Sequence, residues 1–375
     1  MAPWSVVKDD NQENRPRMRY FRYAVFSLAA LLVVSLGFAF SPAEPPAPAE
    51  PPFSEQAREA ALNEALELRS AALELGAADA GSNAGAPAEE PMTQVVTLLT
   101  IQARALLLPG SQPSAEAPGP TSAPASAAGV PPTAAPPPSS PPVVTVADFA
   151  ASLAASGRQR LKDAETADGG MARLLAGAGT AQLLAAERLG AAGSLEAEAQ
   201  GTESHDATVP APACPATPSA AGSASTSPPT GASLGTALVA AAGAELETAY
   251  GYQAALTRLP PEAVRPASEF LAQHQDLAVH AEEYGRTHCA TLLPQPPGYV
   301  LDQGFLDAPA AGLAGLEADT LPLYGDVVAL ADGATRAWAL AALQDAARRA
   351  QHWGADTSPL PGLVLDEGQL PPLPQ

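Results

Sequence analysis

Glu245, Tyr250 and Tyr252 stand out in a stretch, residues 234–259, built mostly of alanine, leucine and glycine. Leu234, Leu238, Ala241, Glu245, Thr248 and Tyr252 follow a 4,3,4,3,4 spacing, the seam of an α-helix, so Glu245 falls on the apolar side. A carboxylate there needs a hydrogen-bond partner, a metal ion or a proton. Phe270, His274, Leu277, Ala281, Tyr284 and His288 repeat the spacing and turn His274 and His288 inward. Further on, Asp345 and His352 lie seven residues apart on the face that carries Trp338.

Four helices must position these groups. The first runs over 234–259 and is ended by Pro260-Pro261. The second starts near Pro266 and is closed by Pro294, Pro296 and Pro297. A third spans about 308–330, with Leu313, Leu316, Thr320, Leu323, Val327 and Leu330 as its seam and a kink expected at Pro322. After Asp332-Gly333 a fourth runs to about Trp353, with Leu340, Leu343, Ala347 and Ala350 on one face.

AELETAYGY, LAQHQDLAVHAEEYGRTH and ARRAQHWGADTSPLPGL resemble a ferritin-like domain family of unknown function, found in membrane-anchored or secreted actinobacterial proteins. The family's first-helix Glu is followed five and seven residues later by Tyr, which corresponds to Glu245, Tyr250 and Tyr252. Its second-helix His corresponds to His274. Its Trp-Gly and Pro-Gly-Leu endings correspond to Trp353, Gly354, Pro361, Gly362 and Leu363. The resemblance covers about residues 233–365 and implies a ferritin-like four-helix bundle. It departs at Leu246, where the family usually has His, and at Gln275, Asp276 and Leu277, which replace a basic cluster. Residues 148–190 resemble the helical hairpin that often precedes the domain.

A di-iron site of this architecture needs Glu on two helices and Glu-x-x-His on the other two. No Glu-x-x-His occurs in residues 233–375, and Glu245 is the one acid read at the right depth. A single metal ion held by Glu245 and His274, with Asp345 or His352, is the reduced alternative. The preferred reading is a buried Glu245–His274 hydrogen-bonded pair that fixes helix register, with Tyr250, Tyr252 and Trp353 as further polar core groups. It assigns no catalytic residue and no cofactor. Binding of a small molecule between the helices, near Tyr250, Tyr252 and Tyr284, is a third reading.

The rest of the chain places this bundle. Residues 1–23 form a basic tail of net charge +2, and the uncharged run 24–40 is read as a transmembrane helix. Basic residues precede this run and none follows it until Arg58, which keeps the N-terminus cytoplasmic and puts the body outside. Cleavage as a signal peptide, with secretion, is the alternative. A proline-rich spacer (41–52), a helical segment (53–108), a disordered linker (109–146), a helical hairpin (147–195), a second linker (196–232), the bundle (233–365) and a tail (366–375) complete the order. Ser54 and Asp148 are read as N-caps, the first helix as stopping near Gly76, and residues 93–108 as a helix with a strand as the alternative.

The fold class is therefore all-α. Outside the basic tail the net charge is −23, which repels phosphate backbones, so nucleic acid is not an expected partner. The membrane is the expected partner, protein partners are unspecified, and a homo-oligomer is left open. Neither a phosphate-binding loop nor a nucleophile elbow is present. Cys214 and Cys289 are read either as a disulfide, permitted outside the cytoplasm, or as two separate thiols. The function expected is a structural or interaction role without di-iron chemistry.

Overall fold

The computed structural model describes residues 15–39, 50–80, 89–107, 145–192, 233–292, 294–356 and 358–373. Among them all regular structure is helical, and no strand occurs. Most of the spacer 41–52, most of the linker 109–146 and all of the linker 196–232 lie outside the described residues. The chain divides into two units, Met1–Glu50 and Pro51–Gln375.

The first unit contains α1, Arg15–Ala39. Tyr20, Phe21 and Leu31 are exposed along it. Among the described residues no helix is long and apolar enough to cross a membrane.

The second unit is built from hairpins. α2 (Phe53–Ala80) and α3 (Glu89–Leu106) form one, and α4 (Val146–Thr166) and α5 (Gly169–Ala192) a second. The bundle follows as α6 (Leu234–Ala255), α7 (Pro261–Thr287), a short α8 (Gln303–Asp307), α9 (Pro309–Leu330) and α10 (Gly333–His352). α6 packs on α7 and α9, and α9 on α10. The α4–α5 hairpin lies against α9 and α10, and α2 lies against α4 and α5.

Several helix ends differ from the sequence expectation for local reasons. α4 is capped by Thr145, whose hydroxyl accepts from the Asp148 N–H while the Asp148 carboxylate accepts from the Thr145 N–H. Asp148 is thus the third helical residue of a capping box and not the cap. Ser54 lies inside α2, which runs on past Gly76, and its hydroxyl accepts from the Asp168 N–H at the start of α5. α7 begins at Pro261, where a missing N–H costs nothing, and continues through Pro266. Residues 89–106 are helical, so the strand alternative falls.

One apolar core joins the hairpins to the bundle. It combines Ala57 and Ala61 of α2, Leu175 and Leu184 of α5, Leu238 of α6, Tyr324 and Val327 of α9 and Leu343 of α10. Close approach needs glycine at two places. A Cβ on Gly179 would lie 2.6 Å from the Gly157 carbonyl oxygen, so α4 and α5 meet backbone to backbone. A Cβ on Gly325 would lie 2.2 Å from the carbonyl oxygen of Gly362, in the segment that follows α10. That segment buries Leu360 and crosses α9 and α5, where Arg173 donates from Nε to the Gly362 carbonyl at 2.7 Å.

Candidate functional site: a charge-balanced cluster at the bundle centre

Glu245 and Tyr252 lie two turns apart on α6, and Glu317 and Tyr324 repeat that spacing on α9. The pairs cross. The Tyr252 hydroxyl donates to Glu317 at 2.6 Å, and the Tyr324 hydroxyl donates to Glu245 at 2.6 Å. The earlier residue of each helix thus meets the later residue of the other, as antiparallel helices require.

The neighbouring helices α7 and α10 each supply one cationic side chain. His274 of α7 lies between the carboxylates, with Nδ1 2.6 Å from Glu245 Oε2 and Nε2 2.8 Å from Glu317 Oε1. Arg349 of α10 donates from Nε to both oxygens of Glu317 at 3.0 Å. Trp353, just past the end of α10, donates from Nε1 to the Tyr252 hydroxyl oxygen at 2.6 Å. Glu245, Tyr252, His274 and Glu317 are fully buried, and Tyr324 and Arg349 nearly so.

Both ring nitrogens of His274 face carboxylate oxygens, so with both carboxylates ionised both nitrogens must donate, which only the imidazolium can do. Two carboxylates, one guanidinium and one imidazolium then sum to zero charge. Burial pushes the His274 pKa down, but the hydrogen bonds and charges of Glu245 and Glu317 outweigh it and hold it above the ordinary value. Burial pushes the Glu317 pKa up, and His274, Arg349 and Tyr252 together bring it below the usual carboxylate range. Burial, then the neighbouring carboxylates, raises the pKa of both Tyr252 and Tyr324, so both hydroxyls stay protonated and donate.

The donor set does not suit a metal. Both ring nitrogens of His274 point at carboxylates, and a fixed cation already covers both oxygens of Glu317. Among the described residues no group of three His, Cys, Asp or Glu is arranged to hold a metal ion.

The structure brings together Glu245, His274, Tyr252 and Trp353 from the residues singled out in the sequence. Asp345 and His352 lie elsewhere. Asp345 pairs with Arg348 on the outer side of α10, at 3.1 Å. His352 is exposed, its ring against Phe270 and Trp353. Tyr250, expected in the core, is 37% exposed and packs on Tyr299, because two residues on a helix turn it away from Tyr252. His288, expected on the apolar side, is also exposed and lies 3.2 Å from the Thr335 hydroxyl. Cys289 is disulfide-bonded, and Cys214 lies outside the described residues.

Glu317, Tyr324 and Arg349 escaped the sequence reading, and with Glu317 buried Glu245 is not the one acid at depth. The signal that could have found the first two is the repeated Glu-x6-Tyr spacing. Arg349 carried no such signal, since it sits beside Arg348 in an ordinary-looking basic pair.

Residues 237–365 match a family model described as a domain of unknown function (DUF4439). These residues form a DUF4439 domain. It contains every member of the cluster. No curated protein and no solved structure matches the chain.

Proposed function

We propose that the DUF4439 domain is a ferritin-like four-helix bundle whose centre is a structural salt-bridge cluster in place of a metal site. We further propose that the protein has a structural or interaction role, held outside the cytoplasm by a transmembrane helix over residues 24–40. The observation that carries the first reading is Arg349. Its guanidinium covers both oxygens of Glu317, and His274 spans the two glutamates, so the acidic side chains that would bind a cation are neutralised by the chain itself. Buried polar and ionic groups fix register and pairing in some proteins, and the cluster is assigned that role here. The anchor reading rests on the sequence alone, on the uncharged run 24–40 behind a basic tail and the proline-rich spacer after it, whereas among the described residues no helix is long and apolar enough to cross a membrane.

Metal analysis of the full-length protein in detergent tests the first reading. After exposure to iron(II), manganese(II) or zinc(II) and desalting, bound metal should stay below about a tenth of an equivalent. A stoichiometric metal that Glu245→Gln abolishes would overturn it. Carbonate extraction of membranes tests the anchor: the protein should remain in the pellet, and release with a mature N-terminus near Phe40 would show cleavage.

A further inference from the structure

Beyond the bundle, residues 366–373 are bound as a peptide is bound. They lie past the end of the family match and contact α3, which precedes it. Their one regular element is a single turn, Glu367–Gln369. Arg104 of α3 takes three of their backbone carbonyls: its Nε donates to Pro371 at 3.0 Å, and one terminal nitrogen donates to Leu370 at 2.7 Å and Glu367 at 3.0 Å. Upstream, Gln102 of α3 donates to the Pro359 carbonyl at 2.9 Å. Leu373 packs half-buried on the apolar cluster that holds Val95, Leu98, Ala185 and Leu189. The same four side chains line a cavity of about 80 Å³.

This geometry differs from that of a core segment. Residues 366–369 are exposed, and Leu370, Pro371 and Leu373 are only half-buried. The Leu370 and Pro371 carbonyls are taken by the guanidinium of Arg104, which also shares the Glu367 carbonyl with the Leu370 N–H of the single turn. Proline is at home in such an extended segment, because it presents a carbonyl and needs no partner for an N–H. Less of the segment is buried than of Leu360 and Gly362, which are locked against α5 and α9.

We propose that the side of α3 around Arg104 is a binding site for an extended, proline-containing peptide, occupied here in cis by the chain's own segment 366–373. The site recognises backbone carbonyls through Arg104 and one leucine through the apolar cluster.

The test uses a labelled peptide with the sequence of residues 366–375 and a chain ending at Leu365. The peptide should bind the shortened chain saturably, at a Kd of order 100 μM, as befits a small half-exposed contact. Full-length protein, its site filled, should bind at least about tenfold more weakly. Arg104→Met in the shortened chain should remove binding. Equal binding to the full-length and shortened chains, or undiminished binding by the Arg104→Met chain, would overturn the proposal. Should the shortened chain fail to fold, amide exchange in the full-length protein decides. Arg104→Met should speed exchange in residues 366–373 and leave α9 and α10 unchanged, whereas no change in 366–373 overturns it.

Discussion

Tyr252 and Glu317, 65 residues apart in the chain, are joined by a buried 2.6 Å hydrogen bond, and Tyr324 and Glu245 repeat it across the same helix pair. This crossed arrangement fixes the register of α6 against α9. A shift by one residue would break both bonds and leave two buried hydroxyls without acceptors, each at a cost of about 1–3 kcal/mol. His274 of α7 and Arg349 of α10 then neutralise the pair. Three consequences can be measured, and the close approach at Gly325 adds a fourth prediction.

Removing one charge should cost more than removing two. Arg349→Met leaves Glu317 buried beside a single cation and should destabilise the protein by about 3–5 kcal/mol. Adding Glu317→Leu should recover part of that loss. Urea unfolding followed by circular dichroism gives both values, and additive losses would contradict the ion-pair account.

Stability should fall on the alkaline side. The His274 pKa is raised in the folded state, so its contribution is fully present below the unfolded value of about 6.5 and is lost as pH rises through the folded value. Melting temperature should therefore decline above neutral pH, and His274→Gln should flatten that decline while lowering stability at acid pH. An equal decline in the variant would assign it to other groups. The 15N shifts of the His274 ring should report protonation at both nitrogens near neutrality.

Two tyrosines should resist titration. Burial and neighbouring carboxylates raise the pKa of Tyr252 and Tyr324, so their unfolded forms ionise first and alkaline unfolding precedes their titration. In absorbance titration near the ordinary tyrosine pKa of about 10, both should stay protonated while the fold persists. Tyr252→Phe should also cost more than Tyr324→Phe, because Trp353 Nε1 loses its acceptor as well. Trp353→Phe should narrow that difference.

Glycine at position 325 should not be replaceable. An added methyl would lie 2.2 Å from the Gly362 carbonyl oxygen and 2.8 Å from Arg173 Nε, which donates to that carbonyl. Gly325→Ala should destabilise by about 1–3 kcal/mol through overpacking, and Gly315→Ala on the same helix, where a methyl meets nothing within 4 Å, should not. Thermal melts of the two variants make the comparison.

The physical limits of sequence reading show in particular residues. Glu245, Thr248 and Tyr252 were legible as buried because a seven-residue period places them on one face, and the structure buries all three. Glu317 sits beside Leu316 in the expected seam of α9, one residue from the position that the pattern marked, and is fully buried while Leu316 is only half-buried. An alanine-rich helix has too little contrast between its faces to separate adjacent positions. Ser54 and Asp148 were recognised as helix-start residues, yet which donor each satisfies depended on neighbours up to 114 residues away.

The amino-acid pattern along the chain was enough to make the described body helical and to turn Glu245 and His274 inward. Those properties follow from local propensity and from periodicity along one chain. That Glu317 and Arg349 meet them, that Asp345, His352 and Tyr250 do not, and that residues 366–373 lie on α3 came from the folded arrangement. These are pairings between distant segments, set by how helices cross and where glycine lets backbones touch, and no spacing along the chain encodes them directly.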